Sequence, residues 1–216
     1  LIIGSGYAPQ VMASYRVGSV AWSMRYFPDN LLSARNFERA EIAAKAVLDD
    51  AATTHGRKQW DQAYGCSGTV GAIADTLLLA ERSPARYQIT REGLDWLRDK
   101  LIKAGRFDAI KLEGIKEERK AVIAGGLSVL RALFDLLQID SLQYAYGALR
   151  HGALYDMLDR EQEQTDVRAT AVAALAAKFS ADAAQGERVS RAALALFDQL
   201  VPASLKKRQR EELKRE

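Results

Sequence analysis

Gln62-Ala63-Tyr64-Gly65-Cys66-Ser67-Gly68-Thr69-Val70-Gly71 reads as a short strand, a glycine turn and the start of a helix predicted over residues 69–82, which Pro84 ends. A helix entered from a strand in this way leaves free backbone N–H groups and the positive end of its dipole at the turn, which favours an anion such as phosphate. The spacing is neither the P-loop, since no lysine follows, nor the dinucleotide G-x-G-x-x-G. Read as a bare motif, it is equally an ordinary tight turn with a threonine cap. Cys66 beside Ser67 has no His or Asp partner nearby in sequence, so covalent catalysis is rejected there.

Working outward, Leu1-Ile2-Ile3-Gly4 reads as the second half of a buried strand, so the chain is expected to start inside an element. The stretch to about Val20 alternates β-prone runs with turns at Gly4-Ser5-Gly6 and Ala8-Pro9-Gln10, as a hairpin or meander entering a sheet. Ser33 caps a helix predicted to reach His55, with Gly56 as its stop. Thr90 caps another over residues 91–103, and residues 116–138 place Val122, Val129, Leu133 and Leu137 at helical spacing. Gly125-Gly126 inside that long helix implies close packing, expected against the sheet, with a passing ligand as the minority reading. Ser141-Leu142-Gln143-Tyr144-Ala145-Tyr146 returns to strand, and Gly147 turns it into a helix at Ala148-Leu149-Arg150-His151-Gly152. Such a turn lies at the carboxyl edge of an open α/β sheet, where ligands bind. Arg150 there and Arg119, near the head of the long helix, are cations that either meet phosphate or face solvent.

Strands alternating with helices predict an α/β fold of helices packed on a sheet. A polar run at residues 159–166 separates it from an alanine-rich helical tail, placing a domain boundary near it: residues 1–160, then residues 161–216 as the start of an all-α domain. With 216 residues, 48% of them hydrophobic, the chain can bury a core. No stretch reaches the roughly 18 uncharged apolar residues of a membrane span. One cysteine excludes an internal disulfide framework and suits the reducing cytoplasm; with only two histidines, both distant, it makes no zinc set. Asp61, Asp75 and Asp140 are too scattered to bind a hard cation, so no metal ligand is assigned. The net charge of +3 resides at residues 205–216, where six basic residues meet three acidic ones. Interleaving at helical spacing reads as a solvated face, and no nucleic-acid partner is expected. The apolar face of the tail would support a homodimer if no partner within the chain covers it.

Taken in order, Leu1-Ile2-Ile3-Gly4, Ser14-Tyr15-Arg16-Val17-Gly18-Ser19-Val20, Tyr26-Phe27, Cys66-Ser67-Gly68-Thr69-Val70, Glu113-Gly114-Ile115 with Glu118-Arg119-Lys120, Ile123-Ala124-Gly125-Gly126 and residues 146–155 resemble the exopolyphosphatase and guanosine pentaphosphate phosphohydrolase (Ppx/GppA) family. The resemblance covers nearly the whole chain. It implies a ribonuclease H-like fold of the actin and sugar kinase superfamily: residues 1–160 as the second actin-like domain, its first strand incomplete, and residues 161–216 as the opening of a helical third domain. It also implies Mg²⁺-dependent release of terminal phosphate from inorganic polyphosphate or guanosine pentaphosphate, in the cytoplasm. By that resemblance the catalytic glutamate and the main phosphate loop precede Leu1. No catalytic residue is therefore assigned within the chain, which alone is expected to be inactive. Ser67, Gly68, Thr69, Arg119 and Arg150 are the implied phosphate contacts. The chain departs from the family at His151, where a glutamate commonly follows the arginine, and it ends before the family's histidine-bearing segment. A noncatalytic polyphosphate or nucleotide-binding module is the alternative, and a sugar-kinase relative a weaker third.

Overall fold

Apolar residues at the N-terminus pair as a hairpin: β1 (Ile2–Ser5) runs antiparallel to β2 (Ala8–Met12), with a register shift between Ile3 and Gly4. This computed structural model describes residues 1–6, 8–147, 149–161 and 167–200. The hairpin was expected to enter a larger sheet, but it forms a two-stranded sheet of its own. The strand character expected up to Val20 also stops early, because α1 (Ser19–Tyr26) begins there. Its start at Gly18 has no side-chain cap, and what holds it is packing: Trp22 is buried and its Nε1–H donates to the Ala40 carbonyl at 3.0 Å. Tertiary burial overrides the β propensity of Val17 and Val20.

Ser33 Oγ accepts from the Asn36 amide and opens α2 (Ala34–Leu48), which buries Phe37, Ala40, Ala44 and Leu48. The single helix expected to His55 is two: α2 ends at Leu48, and the short α3 (Ala51–Thr54) follows. Then come β3 (Ala63–Gly65), α4 (Gly68–Leu79), β4 (Gln88–Thr90), α5 (Arg91–Ala104), α6 (Glu117–Leu136) and β5 (Ser141–Tyr144). Thr90 Oγ1 caps α5 by accepting from the Gly93 amide. β5 lies between the other two strands, parallel to β3 and antiparallel to β4. The sheet is mixed, with helices packed on it.

α6 is the central beam, contacting α1, α2, α4 and α5. Gly125 and Gly126 explain how it comes so close, though not against the sheet as expected. A Cβ on Gly125 would stand 2.5 Å from the Ser23 backbone nitrogen and 2.6 Å from the Ser19 carbonyl oxygen, so this glycine receives α1. Gly126 receives the Thr69 methyl of α4. Farther along, Arg131 lies 2.8 Å from Glu41 of α2 and also pairs with Asp95 of α5, while Asp135 pairs with Lys45 and Arg91. Burial works against the Asp135 anion, but those two cations outweigh it and hold its carboxyl below the usual range.

A cleft of 860 Å³ lies between β1 and β3, lined by apolar side chains including Ile3, Val70, Leu130 and Leu142. His55 borders it, buried, with Nδ1 2.9 Å from Thr54 Oγ1 and Nε2 without a hydrogen-bond partner. Burial lowers the pKa of this ring.

The chain divides into two units, Leu1–Ala148 and Leu149–Glu216. In the second, the described helices are α7 (Leu149–Glu161), α8 (Val167–Lys178) and α9 (Ala183–Leu200). The basic stretch at 205–216 lies outside the described residues.

Candidate functional site

Parallel pairing of β3 with β5 sets the site, because both strands then end at one edge of the sheet. Gly65 is in register with Tyr144, and the Ala145 amide donates to the Gly65 carbonyl at 2.8 Å. The turns at 66–67 and 145–147 therefore leave the sheet side by side.

Ser67 carries the clearest signature of the first turn. Its φ of 122° and ψ of 161° fall in a region that is essentially reserved for glycine. A strained residue at a helix entrance persists only when its surroundings demand it. Here Ser67 Oγ accepts from the Val70 amide at 3.3 Å and its carbonyl accepts from the Gly71 amide at 3.0 Å. Those two bonds leave the Gly68 and Thr69 N–H groups of α4 without helical partners, at the positive end of the dipole.

Gly68 is exposed, and the Arg119 guanidinium lies over it: a Cβ there would stand 2.7 Å from Arg119 Cζ. Arg119 is half-buried, and it makes no ion pair among the described residues. Its charge is not spent on a neighbouring carboxylate, whereas Lys120 beside it pairs with Glu117 at 2.8 Å. Thr69 is buried with its methyl against Gly126, so it brings only its backbone N–H to the turn. Four of the predicted residues, Ser67, Gly68, Thr69 and Arg119, are thus in one place. Arg150 belongs to the second unit, where it is exposed in the first turn of α7. Cys66 is exposed and free.

Sequence reasoning did not find the aromatic cluster next to this turn. Tyr144 packs its hydroxyl against Gly71, whose Cβ would stand 2.8 Å from it. Tyr146 lies 4.8 Å from Tyr144 and 5.1 Å from Tyr87, ring centre to ring centre. Tyr87 has a φ of 58°, uncommon for a bulky residue. The signal available was Tyr144-Ala145-Tyr146 at a strand end, which period-two reading places on one face.

The turn sets backbone N–H groups and a guanidinium beside one another, donors of the kind an anion would accept from. Among the described residues no three His, Cys, Asp or Glu side chains gather as a cation would require.

Residues 1–161 match the Ppx/GppA phosphatase family. A guanosine-5′-triphosphate,3′-diphosphate pyrophosphatase of Vibrio vulnificus is 36% identical over 200 residues, covering 93% of this chain and 39% of that protein. Its counterpart in Vibrio parahaemolyticus is 35% identical over 199 residues, covering 92% and 39%. The chain thus spans well under half the length of these curated relatives. Among solved structures, the Ppx/GppA family member of Aquifex aeolicus superposes with a TM-score of 0.59 at 18% identity, covering 76% of this chain and 53% of that one. An exopolyphosphatase from Cytophaga hutchinsonii gives 0.57 at 19%, covering 73% and 53%. The mixed sheet with its helices is accordingly the actin-like α/β fold followed by a helical region, and the chain belongs to the Ppx/GppA phosphatase family.

Proposed function

We propose that the intact protein is a phosphohydrolase releasing terminal phosphate from guanosine pentaphosphate or inorganic polyphosphate, and that this chain supplies the phosphate-holding side of its site. The observation that carries the reading is Ser67, held in a glycine-like conformation that opens the Gly68 and Thr69 N–H groups beneath an unpaired Arg119. Hydrolysis of a phosphoanhydride needs in-line attack by water on phosphorus, with the bridging oxygen leaving. Backbone donors and a guanidinium serve by holding the nonbridging oxygens as charge redistributes over them. Arg150, in the first turn of α7, is proposed as a second cation on the phosphate chain.

The carboxylate that activates water and the ligands of a divalent cation, proposed to be Mg²⁺, belong to residues outside this chain. The family's phosphatase chemistry is consistent with such a cation. On this reading residues 1–216 alone release no phosphate. The cytoplasm is the proposed compartment, supported by the free thiol of Cys66; no described helix is long and apolar enough to cross a membrane. The helical unit exposes Val172, Leu175, Phe179 and Leu196, which supports a homodimer through it.

Arg119→Gln in the intact protein tests the proposal. Losing one charge-assisted contact should raise KM for tripolyphosphate roughly tenfold, about 1.4 kcal/mol. Wild-type protein that binds tripolyphosphate without hydrolysing it would instead identify a noncatalytic binding module.

A further inference from the structure

We propose that the cleft between β1 and β3 receives an extended segment of the intact polypeptide from outside residues 1–216, and that His55 holds this segment by a hydrogen bond to its backbone. Two open strand edges face the cleft. Among the described residues β1 pairs only with β2 and β3 only with β5, yet both β1 and β3 line it. Because successive residues of a strand send their backbone groups to opposite sides, the unpaired groups can be named. Leu1 exchanges both of its backbone bonds with Ala13, so the N–H and C=O of Ile2 point away from β2. The Gly65 carbonyl accepts from the Ala145 amide on the β5 side, so the N–H and C=O of Tyr64 point away from β5. Ile2 and Tyr64 both line the cleft. One strand laid between them takes up all four groups, and the sheet then runs β2, β1, incoming strand, β3, β5, β4. Without it, residues 1–216 leave the hairpin a sheet of two strands.

The size and walls of the cleft suit such an occupant. A strand takes about 4.8 Å across a sheet, about 10 Å through it and about 3.3 Å along it per residue, roughly 160 Å³. At that rate 860 Å³ holds about five residues, the length of β2. Leu130 and Leu133 of α6, followed by Leu137 and Ile139, line the cleft, so the matching segment is apolar at alternate positions. Five residues make too few contacts for a separate peptide to stay bound, whereas the same segment joined to the rest of its own chain binds at high effective concentration. The relatives have chain enough to supply it, since this one covers 39% of the Vibrio vulnificus protein.

His55 is the second, independent observation. Its side chain lines this apolar cleft and the residue is 2% exposed, with Nδ1 engaged by Thr54 Oγ1 and Nε2 without a partner. The Leu1 backbone approaches the ring but closes no hydrogen bond with Nε2. Buried polar atoms are nearly always paired, and an orphan calls for a missing partner. Nε2 bonds a backbone carbonyl if it carries the proton and a backbone N–H if it does not, and an incoming strand offers both.

Exchange of single amides in the intact protein tests this. The Tyr64 N–H should exchange about a hundredfold or more slower than a free amide, as should that of Tyr144, whose strand has neighbours on both sides. Free exchange at Tyr64 beside protected Ala63 and Gly65 overturns the proposal. The occupant is identified by a photoreactive phenylalanine analogue in place of Tyr64, a position 64% exposed where folding is not at stake. Opposed side chains of neighbouring strands stand about 5 Å apart, so it should cross-link, within one polypeptide, to a residue outside 1–216. Cross-links to a second copy, to a separate protein or only to residues inside 1–216 overturn the choice of occupant. His55→Ala should speed Tyr64 exchange roughly tenfold while Tyr144 exchange holds, and His55→Gln, whose amide offers both a donor and an acceptor, should restore it. Tyr64 exchange indifferent to both substitutions overturns the role given to His55.

Discussion

Serine at position 67 adopts a backbone conformation that its side chain makes costly, and this sets up a test in which a substitution at the site increases stability. Strain of this kind costs on the order of 1–3 kcal/mol. Replacing a serine N-cap by glycine costs only a few tenths, whereas alanine costs about 1 kcal/mol. Ser67→Gly should therefore raise stability by about 1 kcal/mol, and Ser67→Ala should lower it by about the same amount, since it keeps the strain and loses the cap. Thermal melts of both variants read the difference; a destabilised glycine variant would mean that Ser67 is not strained. The turn itself was legible in Gly65-Cys66-Ser67-Gly68, because glycines between a strand and a helix have few other uses. What was not legible was that serine, not glycine, takes the glycine-only angles. Arg119 could be named as a cation but not placed, since 51 residues separate it from Gly68.

Among the elements, α6 shows how a helix can be predicted correctly and its packing misread. Residues 116–138 were expected to be helical, and Glu117–Leu136 are. Periodicity gives the apolar face; it does not say whether a sheet or a helix covers Gly125. The answer depends on α1, an eight-residue helix begun at Gly18 without a side-chain cap. Short helices are set by tertiary burial more than by local preference, which is why α1 was invisible while the capped starts at Ser33 and Thr90 were plain. β4, three residues long, escaped for the same reason. The α1–α6 crossing yields a prediction: Gly125→Ala would press a methyl onto Ser23 and Ser19 backbone, which cannot yield as a side chain can. A loss of about 1–3 kcal/mol or more is expected in chemical denaturation, although alanine is the better helix former. A neutral or stabilising result would mean that the two helices are not in contact there.

At the scale of the molecule, the described part of the first unit holds two sheets of unequal standing. The three-stranded sheet buries Ile89 and Leu142 and lies against α4 and α5. The hairpin buries only Ile3 along its two strands, and a cleft separates it from β3. Two strands without a shared core are marginal in water. Amide protons of residues 2–12 should then trade with deuterium well before those of residues 141–144, by local opening that leaves the helices intact. Equal protection of the two sets, followed by mass spectrometry of peptides, would refute this. If it holds, the amino-terminal ribbon comes undone before the three-stranded sheet does, and a protease cutting under native conditions will reach it sooner.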